Sequence, residues 1–155
     1  MTSNPQPVRP ATPADADELL RLRVAVLAGE AVTDRWRATY REDLRSRLGT
    51  DPDLVAYVVP ADAGLAACAI GIAYRGYSGP EHPAGRWGRI HTVVTDPAHR
   101  RRGHGRAVTT AVIEALRARS CTSIELISTE DGLALYESLG FTRTPTYLAL
   151  RRPLY

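Results

Sequence analysis

Val93-Val94-Thr95-Asp96-Pro97-Ala98-His99-Arg100-Arg101-Arg102-Gly103-His104-Gly105-Arg106-Ala107 is the stretch from which the rest of the chain can be read. A β-branched run stops at a proline, a short loop carries three arginines and two glycines, and a helical pattern starts at once. Strand, glycine-rich turn and helix N-terminus in that order build a cradle for an anion. The first amides of a helix have no partner within it and point out of its end. The helix dipole adds about half a positive charge there, and glycine lets the main chain approach a phosphate without a Cβ in the way.

Spelling narrows the choice of phosphate. A P-loop ends in Gly-Lys-Ser/Thr, and this chain has no lysine among its 155 residues. The dinucleotide fingerprint needs a third glycine, and that position is Val108. What remains, Arg100-x-x-Gly103-x-Gly105, resembles the acetyl-CoA signature of the GNAT N-acetyltransferase superfamily. About thirty residues further on, Leu133-Ala134-Leu135-Tyr136-Glu137-Ser138-Leu139-Gly140-Phe141 resembles that family's second motif, a short helix ending in Leu-Tyr-Glu-x-x-Gly-Phe. The local chemistry agrees, since Gly140 fits a left-handed helix C-cap before an extended segment begins at Phe141. The resemblance is tight over roughly residues 89–150, and the front of the chain matches in its order of elements.

Length and composition set the frame. A chain of 155 residues is read as one domain, 1–155, with enough length to bury a core. No apolar run approaches the roughly 20 residues of a membrane span. The first ten residues are polar and proline-rich and lack the apolar centre of a signal peptide, so a cytoplasmic, membrane-free protein is expected. Cys68 and Cys121 sit in apolar contexts and read as reduced core residues, with no metal site expected. The formal charge is +3; Arg100, Arg101, Arg102 and Arg106 supply four positive charges, which leaves the rest near −1. The basicity is local, which argues against nucleic acid as a partner.

Periodicity gives the elements. Residues 8–11 read as a first strand, and Thr12-Pro13-Ala14-Asp15 as a capping box opening a helix that runs to about Ala28. Trp36, Tyr40, Leu44 and Leu48 make a helical stripe. Residues 54–59 and 65–75 read as strands, with Gly71 marking a bulge or a close backbone approach. Residues 76–88 form a glycine- and proline-rich loop. A strand over 89–95 feeds the cradle, a helix follows over 105–120, a strand over 122–128, the short helix ending at Leu139, and a closing pair over 141–144 and 146–152. The order β-α-α-β-β-β-α-β-α-β-β is α/β (α+β) and is the order of the GNAT fold, a mixed central sheet flanked by helices.

The resemblance implies an acetyl-CoA-dependent N-acetyltransferase that transfers directly to an amine, and no nucleophile motif such as Gly-x-Ser-x-Gly competes with it. It implies that the strand before the cradle and the strand after its helix splay apart. Pantetheine would lie in that gap, against the backbone of Val93, Val94 and Thr95. The diphosphate would lie on the amides of Arg101, Arg102, Gly103, His104, Gly105 and Arg106, with Arg100 at the start of the signature. Thr129 stands where many relatives carry a cofactor-contacting asparagine. Tyr136 matches the tyrosine that serves as general acid toward the CoA sulfur. The family's glutamate base is replaced by Arg89, which cannot accept a proton. Alternation puts Arg89, His91, Val93 and Thr95 on one face, so His91 is the first candidate base and Glu125 the second; a histidine stands at the matching position in aralkylamine acetyltransferases. His99 and His104 are cradle residues near phosphate or solvent. Trp36, Tyr40, Tyr74, Tyr77 and Trp87 either line an acceptor pocket or fill core edges. The acceptor is expected to be a small-molecule amine or amino acid. A protein N-terminus or lysine, or a non-catalytic acyl-CoA sensor, are the other readings. Dimers are frequent in the family, so a homodimer belongs among the expected states.

Overall fold

The computed structural model describes residues 7–27, 32–144 and 150–154. Among them the chain forms β1 (Arg9–Pro10), a 3-10 turn (Pro13–Asp15), α1 (Ala16–Ala25), α2 (Asp34–Arg47), β2 (Leu54–Pro60), β3 (Leu65–Arg75) and β4 (Arg86–Thr95). A second 3-10 turn (Pro97–His99), α3 (His104–Ala118), β5 (Ile124–Leu126) and α4 (Glu130–Ser138) follow. The sheet order is β1-β2-β3-β4-β5, antiparallel except for the last pair, which is parallel. This is the mixed sheet flanked by helices expected from the order of elements.

The capping box forms as spelled: the Thr12 amide donates to the Asp15 carboxylate at 2.8 Å, and Arg9 grips the same group at 2.8 and 2.9 Å. Two cores lie on the two faces of the sheet. On one, Leu19, Leu22 and Leu44 of the first two helices, with Leu48 just past α2, pack on Val58, Cys68, Ile70 and Val94. On the other, Val108, Val112 and Leu116 of α3 pack on Ala67, Ala69, Ala73 and Ile90. Small residues let α3 lie close to the strands. A Cβ at Gly71 would sit 2.8 Å from Val112 Cγ1, and one at Gly88 2.8 Å from Leu116 Cδ1. Gly71 therefore answers to close approach, and the register also shifts between Ile70 and Gly71, so both readings of that glycine hold.

The shift is a β-bulge centred on His91. Ile70 pairs with Thr92 and Gly71 with Ile90, which leaves His91 as the extra residue of β4. Period-2 alternation fails across it. Ile90 lies in the α3-side core, so its neighbours Arg89 and His91 face the α1 and α2 side. Past the bulge the phase reverses: Val94 joins the α1-side core and Val93 the α3-side core. The expectation that Arg89, His91, Val93 and Thr95 share a face is thus corrected; the first two lie on one face and the last two on the other.

Two expectations at the ends also change. The first helix stops at Ala25 and not near Ala28, which lies outside the described residues. Residues 141–144 carry no strand, while most of the second closing strand falls in 145–149, outside the described residues. No described helix is long and apolar enough to cross a membrane.

Candidate active site at the β4–β5 splay

β5 pairs with β4 only at Gly88↔Ile124, Arg89↔Glu125 and Ile90↔Leu126. From His91 onward β4 has no strand neighbour on that side among the described residues, although its other edge stays paired with β3 through Ala67↔Thr95. The splay implied by the motifs is therefore present, and the bulged residue is the first one past the fork. Val93, Val94 and Thr95 follow it along the open edge, leading directly into the cradle.

The cradle is held from behind. The Asp96 amide donates to Ala66 O at 2.8 Å, and its carboxylate accepts from the Ala98 amide at 2.9 Å, closing the turn at Pro97. Arg21 of α1 reaches the same carboxylate at 2.7 Å and Glu18 at 2.6 Å, and Glu18 in turn accepts from the Leu65 amide at 2.8 Å. The bonds from Ala98 and Arg21 hold Asp96 below the ordinary carboxylate range, and the Arg21 bond does the same for Glu18. This corner was not foreseen, although Asp96-Pro97 is itself a turn signal in the sequence.

Beyond the corner, Arg100, Arg101 and Arg102 are exposed, and Arg101 adopts φ 63°. Gly103 is the residue before α3, at φ 78°, and offers no side-chain cap. The first intrahelical bond runs from the Ala107 amide to Gly103 O at 3.1 Å. The amides of His104, Gly105 and Arg106 are therefore without a partner inside the helix. A Cβ at Gly103 would meet nothing within 4 Å, and one at Gly105 would make only ordinary contacts, 3.5 Å to Thr95 Oγ1 and 3.6 Å to Leu135 Cδ2. The chain's own packing does not demand glycine at Gly105. Free donors, open space in front of them and a ring of arginines fit a diphosphate. Arg106 turns aside to donate to Ser138 Oγ at 2.6 Å, tying α3 to α4. His104 is buried, which lowers its pKa, with the His99 and Arg102 charges adding to the effect.

On the far side of the gap, Thr129 stands at the head of α4 without a side-chain cap bond. Tyr136 follows two turns later, half-buried and edge-on to Phe141 at 6.0 Å. Both line a cavity of about 350 Å³ with Leu126, Ser128 and Leu133. Burial pushes the Tyr136 phenol above its ordinary pKa, so it stays protonated at neutral pH.

His91 lies at the sheet surface, yet desolvation leads the lowering of its pKa, with Arg89 and Arg23 adding to it and Glu125 opposing. The shift favours the neutral imidazole, the form that can accept a proton. Its Nε2 lies 2.7 Å from the Tyr74 hydroxyl, a contact invisible in the sequence because it spans two strands. Glu125 pairs with Arg89 at 3.7 Å. The five aromatics do not form one pocket. Trp36 and Tyr40 pair on α2 at 5.2 Å, Tyr74 stacks on Trp87 at 5.9 Å, and Tyr77 is 92% exposed. Tyr40 packs against the α1-side core, and burial pushes its phenol up to about 12.

A sequence model of the acetyltransferase (GNAT) family matches residues 22–141. A glucosamine 6-phosphate N-acetyltransferase of Trypanosoma brucei brucei is 41% identical over 54 residues, 35% of this chain and 37% of that protein. A mycothiol acetyltransferase of Thermobispora bispora is 41% identical over 68 residues, 42% of this chain and 23% of that protein. The matched stretches thus span well under half of either relative. Among solved structures, a predicted acetyltransferase of Clostridium acetobutylicum with acetyl-CoA superposes with a TM-score of 0.80 at 20% identity, covering 93% of this chain and 94% of that one. At that identity the likeness is one of fold.

Proposed function

The chain belongs to the GNAT acetyltransferase family, and we propose that it transfers an acetyl group from acetyl-CoA directly to the amine of a small molecule. The observation that carries the reading is the head of α3, where the amides of His104, Gly105 and Arg106 have no partner within the helix and a Cβ at Gly103 would meet nothing within 4 Å. The amides of His104, Gly105 and Arg106 hold the diphosphate, helped by Arg100, Arg101 and Arg102. The open edge at Val93, Val94 and Thr95 takes the pantetheine arm, and Thr129 flanks it. Acetyl-CoA brings the acetyl group as a thioester. His91 takes the proton that the amine must lose, and Tyr136 provides one for the departing sulfur, a phenol suited to a thiolate of comparable basicity.

A small acceptor is favoured because the relatives just described are named for glucosamine 6-phosphate and for mycothiol, both small molecules. The test is release of free CoA thiol from acetyl-CoA across aralkylamines, amino acids, amino sugars and their phosphates, aminoglycosides, polyamines and short peptides. A small amine is expected to give the clearest release; release with peptides alone would turn the reading to a protein acceptor. With the best amine, Tyr136→Phe is expected to lower kcat by about tenfold or more while leaving the KM for acetyl-CoA unchanged. Unchanged turnover would reduce Tyr136 to a packing residue.

A further inference from the structure

We propose that Tyr74 is the positioning residue for His91: its phenol oxygen accepts the Nε2–H of His91 and so fixes the tautomer in which Nδ1 carries the lone pair facing the acceptor amine. The inference rests on the reading of His91 as the base.

Three features of the structure support it. The Tyr74 Oη to His91 Nε2 distance is 2.7 Å, while Nδ1 has no hydrogen-bond partner among the described residues. Only one ring nitrogen is therefore left to do chemistry, and it can do so only if the proton sits on the other. The bulge makes His91 the extra residue of β4, at the position where β5 has just left. Tyr74 is itself held in place: its ring stacks on Trp87 at 20° between planes, and Trp87 is pressed so close to Gly76 that a Cβ there would lie 2.5 Å from Trp87 Cζ3. The charged and titratable groups around the imidazole are Arg89 on its own strand, Arg23 on α1, Glu125 on β5 and Tyr74 on β3. The two arginines oppose an imidazolium, so a neutral acceptor on Nε2–H matters to the charged form.

The proton balance is simple. The amine gives one proton to Nδ1, Nε2 keeps its own, and the Tyr74 phenol gains and loses none. Once the ring is charged, the Nε2–H···Oη bond becomes charge-assisted and strengthens. Removing the acceptor weakens the charged form and lowers the His91 pKa.

The test uses the full chain with ¹⁵N-labelled histidine, without acceptor, as wild type, Tyr74→Phe and His91→Gln, the last identifying the His91 signals by their loss. Phenylalanine keeps the ring on Trp87 and removes only the oxygen. The wild type is expected to show the Nε2–H tautomer, and Tyr74→Phe to lower the His91 titration midpoint by about half to one pH unit. An Nδ1–H tautomer in the wild type, or an unmoved midpoint in Tyr74→Phe, would overturn the proposal. A His91→Gln enzyme that acetylates the best amine of the panel at the wild-type rate would overturn the base reading, and the proposal with it, whatever the spectra show. A purely structural Tyr74 would alter stability and leave both tautomer and midpoint in place.

Discussion

Two helices of this protein begin in opposite ways. At the head of α2, Thr33 turns its hydroxyl back to accept from the Trp36 amide at 3.1 Å, and the end is closed by its own chain. At the head of α3 there is no such side chain; Gly103 stands in the capping position, and the orphan amides are left facing outward. A helix end that meets only solvent gains from a cap, typically about 1 kcal/mol. With glycine in that position α3 forgoes only a few tenths of that gain, and the turn at Pro97 that leads toward it is braced by Asp96, Arg21 and Glu18. Under the proposed function the difference separates a helix that serves packing from one whose end takes the diphosphate.

The comparison breaks most visibly at Gly103. Gly103→Glu brings a carboxylate to the orphan amides of α3, in the space where nothing lies within 4 Å. Affinity for acetyl-CoA should fall by about a hundredfold or more, while the left-handed φ of 78° costs the fold only about 1–2 kcal/mol. Calorimetry with acetyl-CoA beside a thermal melt separates the two effects, and normal affinity in that variant would remove the cradle assignment. Next in size is Thr33→Ala, which should cost about 1 kcal/mol of stability in a denaturant melt and leave acetyl-CoA affinity untouched. A loss of affinity there would mean that the two ends are coupled and the contrast is false.

The smallest effect concerns the brace. Glu18 and Asp96 are held below their ordinary pKa in the folded state, so their contribution to stability is complete above the unfolded carboxylate range near pH 4 and is lost as the pH falls through their lower folded values. Arg21→Met should therefore flatten the acid side of the stability curve below about pH 4. Unchanged slopes in urea melts between neutral and acid pH would show that the corner is held by its backbone bonds alone.

What the sequence made legible follows from how local each feature is. Arg100, Gly103 and Gly105 are neighbours in the chain, and the helix they open announces itself by Val108, Val112 and Leu116. The same holds for Thr12-Pro13-Ala14-Asp15, whose capping box needs no other part of the molecule. The phase of β4 is different. A bulge is a mismatch between two strands, and nothing in Ile90-His91-Thr92 states that Gly71 will pair with Ile90 while Ile70 takes Thr92. Reading β4 alone therefore sent Val93 and Thr95 to the wrong face. The contact between Tyr74 and His91 escaped for the same reason, since the two lie 17 positions apart in sequence and 2.7 Å apart in space. Aromatic composition likewise grouped Tyr77 with Trp36, although the folded chain leaves it in solvent.

The close seat of α3 on Gly71 and Gly88 has a mechanical meaning. Leu116, which lies against Gly88, is 12 residues from His104, or roughly 18 Å along the rod at 1.5 Å per residue. A stiff rod seated along its length by Val108, Val112 and Leu116 carries a displacement of one seat along its axis. A methyl added at Gly88 would push first on Leu116, and through the rod toward the mouth of the cradle.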